Sequence, residues 1–165
     1  MVEMFRLSVV VLGLVLSTVA SVGAQTLDKK VLSFAAAERI AATAADAARA
    51  RGVGVVIAVV DDGGHLILLH RLDDTQVASV NVGIGKARTA AIYRRPSREF
   101  EEQIRAGRIA ALALADSTPL QGGVPILLDG KVIGAIGVSG DTPQVDEAIA
   151  IAGAAAFVPT PVNGR

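Results

Sequence analysis

The dipeptide Asp129-Gly130 constrains the fold of this 165-residue chain more than any other feature. It separates two apolar runs, 124–128 and 131–138, by two residues. Asp-Gly at such a connection favours the tight turns that join neighbouring antiparallel strands. The sequence therefore predicts a β-hairpin in the last third of the chain.

A second hairpin is predicted earlier in the chain. A β-branched run over 53–60 precedes the turn residues 61–64, and an apolar run returns over 65–71. Strict alternation predicts one face with His65, Ile67, Leu69 and Arg71 and an opposite face with Leu66, Leu68 and His70. His65 and His70 are then about 17 Å apart at a rise of ~3.3 Å per residue. Two such histidines cannot bind one metal ion within one subunit.

Two helices are predicted at the ends of the domain. The alanine-rich stretch 33–51 begins with the capping residue Ser33 and stops at Gly52. Thr142 caps the closing helix, and Pro143 takes its first position. Its apolar stripe is predicted to contain Val145, Ile149, Ala152 and Ala156.

Two further helices are predicted between the hairpins. The stretch 75–94 lacks proline and has small residues at helical spacing, and Pro96 ends it. Ser97 is predicted to cap a short helix over 98–106. The resulting order is helix, hairpin, helix, short helix, hairpin, helix. This order predicts a single α/β domain of the α+β type, in which helices flank a largely antiparallel sheet.

The first residues resemble an export signal. An apolar run over 7–20 follows Arg6, and 22–24 are small residues of the kind found before a cleavage site. We expect a signal peptide over 1–24, a domain over 25–158 and a flexible tail over 159–165. The run has 14 residues, where a membrane-spanning helix needs about 20. We therefore expect a periplasmic or secreted protein without a stable membrane anchor, and an uncleaved anchor is the alternative.

The overall charge excludes one class of partner. The chain has 16 Lys+Arg and 16 Asp+Glu residues, and it therefore has no net charge. This balance lacks the basic character of a nucleic-acid-binding protein, and 52% hydrophobic residues argue against disorder. The chain has no cysteine, and Met1 and Met4 lie in the predicted signal peptide. A chain cleaved at this point has no sulfur ligand for a metal.

Several polar residues are candidates for a binding site. Lys86 and Thr89 are three residues apart on a predicted helix, so they can present an ammonium and a hydroxyl to one ligand. Exposure to solvent is the simpler interpretation of both. Arg71 can neutralise a carboxylate, or it can pair with Asp73 or Asp74.

The glycine pair Gly122-Gly123 precedes Pro125 and suits the entry to an edge strand, and its N–H groups can also approach a ligand. Tyr93 suits amphipathic packing at the end of its helix. His70, among leucines on the returning strand, suits a hydrogen-bonded or edge position.

Five segments in order and register resemble the GlcG/HbpS family of small haem-binding proteins, over about residues 31–157. They are VVDDGGHL at 59–66, RLD at 71–73, KARTA at 86–90, GGVPI at 122–126, and GAIGVSG at 134–140 leading into Asp146-Glu147.

This resemblance implies a profilin- or roadblock-like domain that forms homo-oligomers and binds haem, and exported members are associated with iron handling or redox sensing. Lys86, Thr89, Gly122 and Gly123 are the implied pocket residues, with Arg71 beside them. Without sulfur, His65, His70 and Tyr93 are the axial donors that the chain offers. We expect His70 or Tyr93 to bind the iron, at a subunit interface.

Two other functions stay open. The protein can be an enzyme or an accessory subunit that binds a small carboxylate metabolite in a catabolic pathway, with Lys86 or Arg71 as the anion anchor. It can also be a scaffold oligomer without a ligand. Binding is the expected role, since the sequence has no Gly-x-Ser-x-Gly motif and no set of metal-ligating residues at helical spacing.

Overall fold

A computed structural model describes residues 27–159. The predicted signal peptide and residues 160–165 of the predicted tail lie outside this range. The described chain forms helices α1 to α4, strands β1 to β4 and one 3₁₀ helix. In chain order they are α1 (Phe34–Arg49), β1 (Val56–Asp61), β2 (Leu66–Arg71), α2 (Ser79–Ile92), α3 (Arg98–Arg105), the 3₁₀ helix (Ile109–Ala113), β3 (Gly123–Leu128), β4 (Lys131–Ser139) and α4 (Pro143–Ala155).

The four strands form one antiparallel sheet in the order β2-β1-β4-β3. Helices α1 and α4 cover one face, where Ile40 and Ile149 pack with Ile57 and other buried residues. Helix α2 covers the opposite face through alanines that pack against Ala58. The prediction of one α+β domain with an antiparallel sheet and flanking helices is confirmed.

Local signals predicted the turn between β3 and β4 and the caps of α1 and α4. Asp129 and Gly130 have φ angles of 50° and 75°, as the tight turn between β3 and β4 requires. The Ser33 hydroxyl accepts a hydrogen bond from the Ala36 N–H at 3.2 Å, and Thr142 caps α4 in the same way. Pro143 occupies the start of α4.

Ser97 does not cap α3, contrary to our prediction. Its side chain makes no capping bond. The hydroxyl instead donates to the Leu120 carbonyl at 2.5 Å and accepts from the Gly123 N–H at 2.8 Å. Ser97 therefore connects α3 to the loop before β3 and gives the backbone N–H of the buried Gly123 a partner.

The strict alternation predicted for β2 is wrong at its start. Val59 pairs with Leu68, but Val60 pairs with Leu66, so Ile67 is an extra residue in the ladder. Such a β-bulge interrupts the alternation of faces. Leu66 consequently lies on the face of Val60, opposite to Leu68, and alternation no longer determines the direction of His65.

The buried face of α4 also differs from the predicted stripe. Ile149 is buried, but Val145, Ala152 and Ala156 are only half-buried. Asp146 and Glu147 take inward positions instead. Apolar periodicity missed this face because polar contacts within the chain, described below, satisfy both carboxylates.

Candidate functional site

Lys86 on α2 is buried and paired within the chain. Its ammonium donates to Asp146 Oδ2 at 2.8 Å and to the Val138 carbonyl at 3.0 Å. The two side chains are only 4% and 3% exposed. The simpler interpretation of Lys86, a solvated surface residue, is wrong, because this charge joins the helices on opposite faces of the sheet.

The carboxylate of Asp146 is held in an environment with little water. Burial raises the pKa of Asp146 above its ordinary value, although bonds from Lys86 and from the Asp141 N–H favour the ionised form. A buried charge needs such partners to be tolerated. The Lys86–Asp146 ion pair therefore stabilises the fold only while both side chains are present.

The predicted glycine pair lies directly against Lys86. A Cβ atom at Gly123 would lie 2.2 Å from the Lys86 carbonyl oxygen, and one at Gly122 would lie 3.0 Å from Lys86 Nζ. Gly122 also has a φ of 123°, which side chains rarely adopt. Both glycines are buried, and the Gly123 N–H is bonded to Ser97. In this arrangement the two glycines allow the start of β3 to approach α2 closely.

Thr89 and Tyr93 hold the segment that follows the 3₁₀ helix. The Thr89 hydroxyl donates to the Gly85 carbonyl at 2.8 Å and accepts from the Thr118 N–H at 2.7 Å. The Tyr93 hydroxyl donates to the Ala115 carbonyl at 2.7 Å, and its ring meets Phe100 edge to face. Thr89 is fully buried, and the structure gives both residues partners inside the chain.

His70 contrasts with these residues because its imidazole is free. It is half-buried on β2, and it pairs across the ladder with Ile57, whose side chain lies on the α1 face. Neither ring nitrogen has a hydrogen-bond partner among residues 27–159. Since α2 covers the other face, one subunit does not bring His70 together with Lys86 or Thr89.

Arg71 lines an open cleft of about 470 Å³ at the end of the sheet, where α1 and β2 both end. Arg49 and Leu72 also line it. Arg71 donates to the Thr75 carbonyl at 3.0 Å and, in the described structure, forms no ion pair with Asp73 or Asp74. The cleft therefore presents two guanidinium groups, of which that of Arg49 is paired with Asp46, and Asp73 and Asp74 line it as well. His70 precedes Arg71 in the sequence but does not line the cleft.

His65 is the other imidazole of the hairpin, and its side chain is 82% exposed. Its Nδ1 lies 3.3 Å from Asp61 Oδ1, and that oxygen accepts the N–H groups of Gly63 and His65. Partial burial acts to raise the pKa of Asp61, but these hydrogen bonds and the neighbouring imidazole outweigh it, and the net pKa is lowered. Asp61 thus closes the turn between β1 and β2.

Sequence reasoning missed the second inward carboxylate of α4. Glu147 accepts from the Gln121 side chain at 2.7 Å and from Arg98 at 3.4 Å. These partners are 26 and 49 residues away in the chain, so no local pattern could identify them. The nearest signal was that Asp146 and Glu147 follow one of the family-like segments.

Residues 27–159 contain neither a membrane-spanning helix nor a cluster of metal-ligating side chains. No helix in this range has the length and apolar character needed to cross a membrane. No group of three or more His, Asp or Glu side chains in it is arranged to hold a metal ion.

Comparison with known proteins places these features in a family. Residues 32–155 match the family described as haem degrading protein HbpS-like. Protein GlcG of Escherichia coli K12 is 43% identical over 111 residues, which cover 67% of this chain and 83% of GlcG.

Two solved structures share the fold. The crystal structure of HbpS has a TM-score of 0.78 at 30% identity and covers 86% of this chain and 100% of its own. The crystal structure of a PduOC:heme complex has a TM-score of 0.71 at 26% identity, over 77% of this chain and 95% of the other. The family match spans most of the described domain, and the chain therefore belongs to the HbpS-like family.

Proposed function

We propose that this protein binds haem, with His70 as the axial ligand and with Arg71 and Arg49 beside the propionates. The observation that carries the proposal is the free imidazole of His70, which directly precedes the cleft-lining Arg71 in β2. Membership of the HbpS-like family and the likeness to a haem complex support it.

The residues present fit the group. Histidine is a common axial ligand of haem iron, and a ring nitrogen without an internal partner needs no rearrangement to bind a metal. Guanidinium groups form strong, charge-assisted hydrogen bonds with carboxylates. When bound, haem supplies iron coordination and redox chemistry, while this chain binds the macrocycle and orients it.

The remaining residues of the predicted pocket do not lie near His70 and Arg71. Lys86, Thr89, Gly122 and Gly123 lie on the α2 side of the sheet and are buried. Because their polar atoms have partners inside the chain, these residues are not part of the proposed haem site. The proposal also includes a homo-oligomer, in which a second copy covers the open side of the cleft.

The proposed location rests on the predicted signal peptide over 1–24. The apolar run over 7–20 supports export to the periplasm or the medium, and haem-linked iron handling or redox sensing is the proposed role there. The alternative function with a carboxylate metabolite is weakened at Lys86, because Asp146 already neutralises its ammonium.

Titration of the purified protein with haemin tests the proposal. We expect a saturable shift of the Soret band in the wild type, and its loss in His70→Ala. Arg71→Gln should weaken binding by about tenfold, as expected for one lost charge-assisted bond. His65→Ala is the matched control and should bind as the wild type does.

Three results would each contradict a part of the proposal. Absence of a saturable shift in the wild type refutes haem binding. Normal binding by His70→Ala, with loss in Tyr93→Phe or His65→Ala, refutes the assignment of His70. Native mass spectrometry of the haem-loaded sample reports the subunit number, and a monomer refutes the shared pocket.

A further inference from the structure

A second cleft lies at the end of the sheet opposite to Arg71. It has a volume of about 270 Å³ and forms where the start of α1, the β3–β4 hairpin and the chain after α4 meet. Leu32, Ala36 and Ile133 line it and are 6%, 5% and 3% exposed, and the half-buried Phe157 lines it as well. Its floor is therefore apolar, as is usual for small-molecule sites.

The charges around this cleft have one sign. Lys30 and Arg39 line it, and no Asp or Glu does. Within residues 27–159, neither cation has an ion pair or a side-chain hydrogen bond. Other cations of this part of the chain are paired, since Lys29 pairs with Asp62 and, at the far end of α1, Arg49 pairs with Asp46. The cleft thus combines an apolar floor with two unpaired positive charges.

We propose that this cleft binds a small amphiphilic carboxylate, with its apolar body on the floor and its carboxylate at Arg39 and Lys30. The complementary charge selects an anion, and the floor selects an apolar body over a hydrophilic one. The volume lies just below the roughly 300–1,000 Å³ typical of drug-sized ligands, so the ligand is a medium-chain or monocyclic aromatic acid.

This site is separate from the proposed haem site. His65, His70 and Tyr93 do not line the cleft, and its lining contains no other conventional haem ligand. The inference does not rest on haem binding. Either proposal can fail while the other stands, because the two use different residues and different probes.

Calorimetric titration with hexanoate tests the inference, with methyl NMR shifts of Ile133 and Ala36 to locate the ligand. We expect saturable binding with shifts at both methyl positions. Hexanol, which lacks the charge, should bind at least about tenfold more weakly, the effect of one lost charge-assisted bond. Acetate, which lacks the apolar body, should show no saturable binding.

Charge-neutral variants identify the anchors. Arg39→Gln combined with Lys30→Gln should lower hexanoate affinity by at least about tenfold and leave hexanol binding unchanged. Arg51→Gln is the matched control, since Arg51 is an exposed arginine that lines neither cleft. Haemin titration of the double variant should match the wild type.

Three outcomes would overturn the inference. One is the absence of shifts at Ile133 and Ala36 with hexanoate. Another is equal affinity for hexanoate and hexanol. The third is binding only by a variant that lacks residues 160–165, which would identify the C-terminal residues of the chain as the occupant of the cleft.

Discussion

Lys86 and His70 were both singled out from the sequence, and the structure gives them opposite environments. The ammonium of Lys86 is buried between Asp146 and the Val138 carbonyl, whereas His70 is half-buried with two free ring nitrogens. This contrast between the two environments shows that the type of a residue does not distinguish a structural role from a binding role. The number of partners inside the chain does, because an unpaired polar group remains available to a ligand.

The largest expected effect is the loss of the Lys86 charge. Lys86→Met leaves Asp146 buried without its counter-charge, and we expect a loss of about 3–5 kcal/mol in the free energy of unfolding, measured by urea denaturation. The loss should shrink as the pH falls, because protonation of Asp146 removes the uncompensated charge. Lys86→Met combined with Asp146→Leu is the control and should recover part of the stability.

A loss below about 1 kcal/mol in the single variant would contradict this account, since it is the value of an exposed pair. The contrast between Lys86 and His70 would then disappear.

A side chain at Gly123 should have the next largest effect. Gly123→Ala places a Cβ atom against the backbone of Lys86 and should cost about 1–3 kcal/mol, the range for overpacked sites. Gly63→Ala serves as the comparison, because its Cβ atom would meet mainly the flexible side chain of His65. Equal melting temperatures of the two variants would show that a Cβ atom at Gly123 does not clash with the backbone of Lys86.

The hydroxyl of Thr89 should contribute less. Thr89→Val keeps the shape but leaves the Thr118 N–H without its acceptor, and we expect a cost of about 1–3 kcal/mol, nearer the lower end because Thr118 is half-buried. Thr89→Ser keeps the hydroxyl and should retain more stability than the valine variant. If the Thr89→Val variant is as stable as the wild type, the fold does not need the Thr89 hydroxyl. That hydroxyl is then available to a ligand, as the imidazole of His70 is.

Removal of the His70 side chain should leave stability almost unchanged. His70→Ala loses no hydrogen bond of the described chain, and we expect a change within about 0.5 kcal/mol in chemical denaturation. Leu68→Ala, two residues away with its side chain in the α1 core region, is the control that should destabilise clearly. A large loss in His70→Ala would assign His70 to the fold.

The smallest effect concerns pH. The lowered pKa of Asp61 means that its carboxylate stabilises the fold above the unfolded value of 3.8, and that this contribution is lost as the pH falls through the folded pKa. The difference in unfolding free energy between the wild type and Asp61→Asn should be constant well above 3.8 and shrink below it. A difference that grows towards acid pH would contradict the direction of this pKa shift.

The parts of the fold that could be predicted are those encoded by neighbouring residues. Asp129-Gly130 determines its turn, and Thr142-Pro143 begins α4, because each signal acts within three residues. The bulge at Ile67 could not be predicted, since it depends on how β2 pairs with β1.

The candidate site shows the same limit. Lys86 and Asp146 are 60 residues apart, and only the sheet between α2 and α4 brings them together. Helical spacing placed Lys86 and Thr89 on one face, and both are buried there. It could not indicate that their polar atoms have internal partners, because those partners come from distant segments.

The two edge strands influence how copies of this chain can assemble. The ladder of β2 is irregular at Ile67, and β3 contains Pro125. Bulges and proline discourage the addition of a foreign strand to an exposed edge. A continuous intermolecular sheet is therefore disfavoured, and we expect subunits to associate through their helical layers and loops.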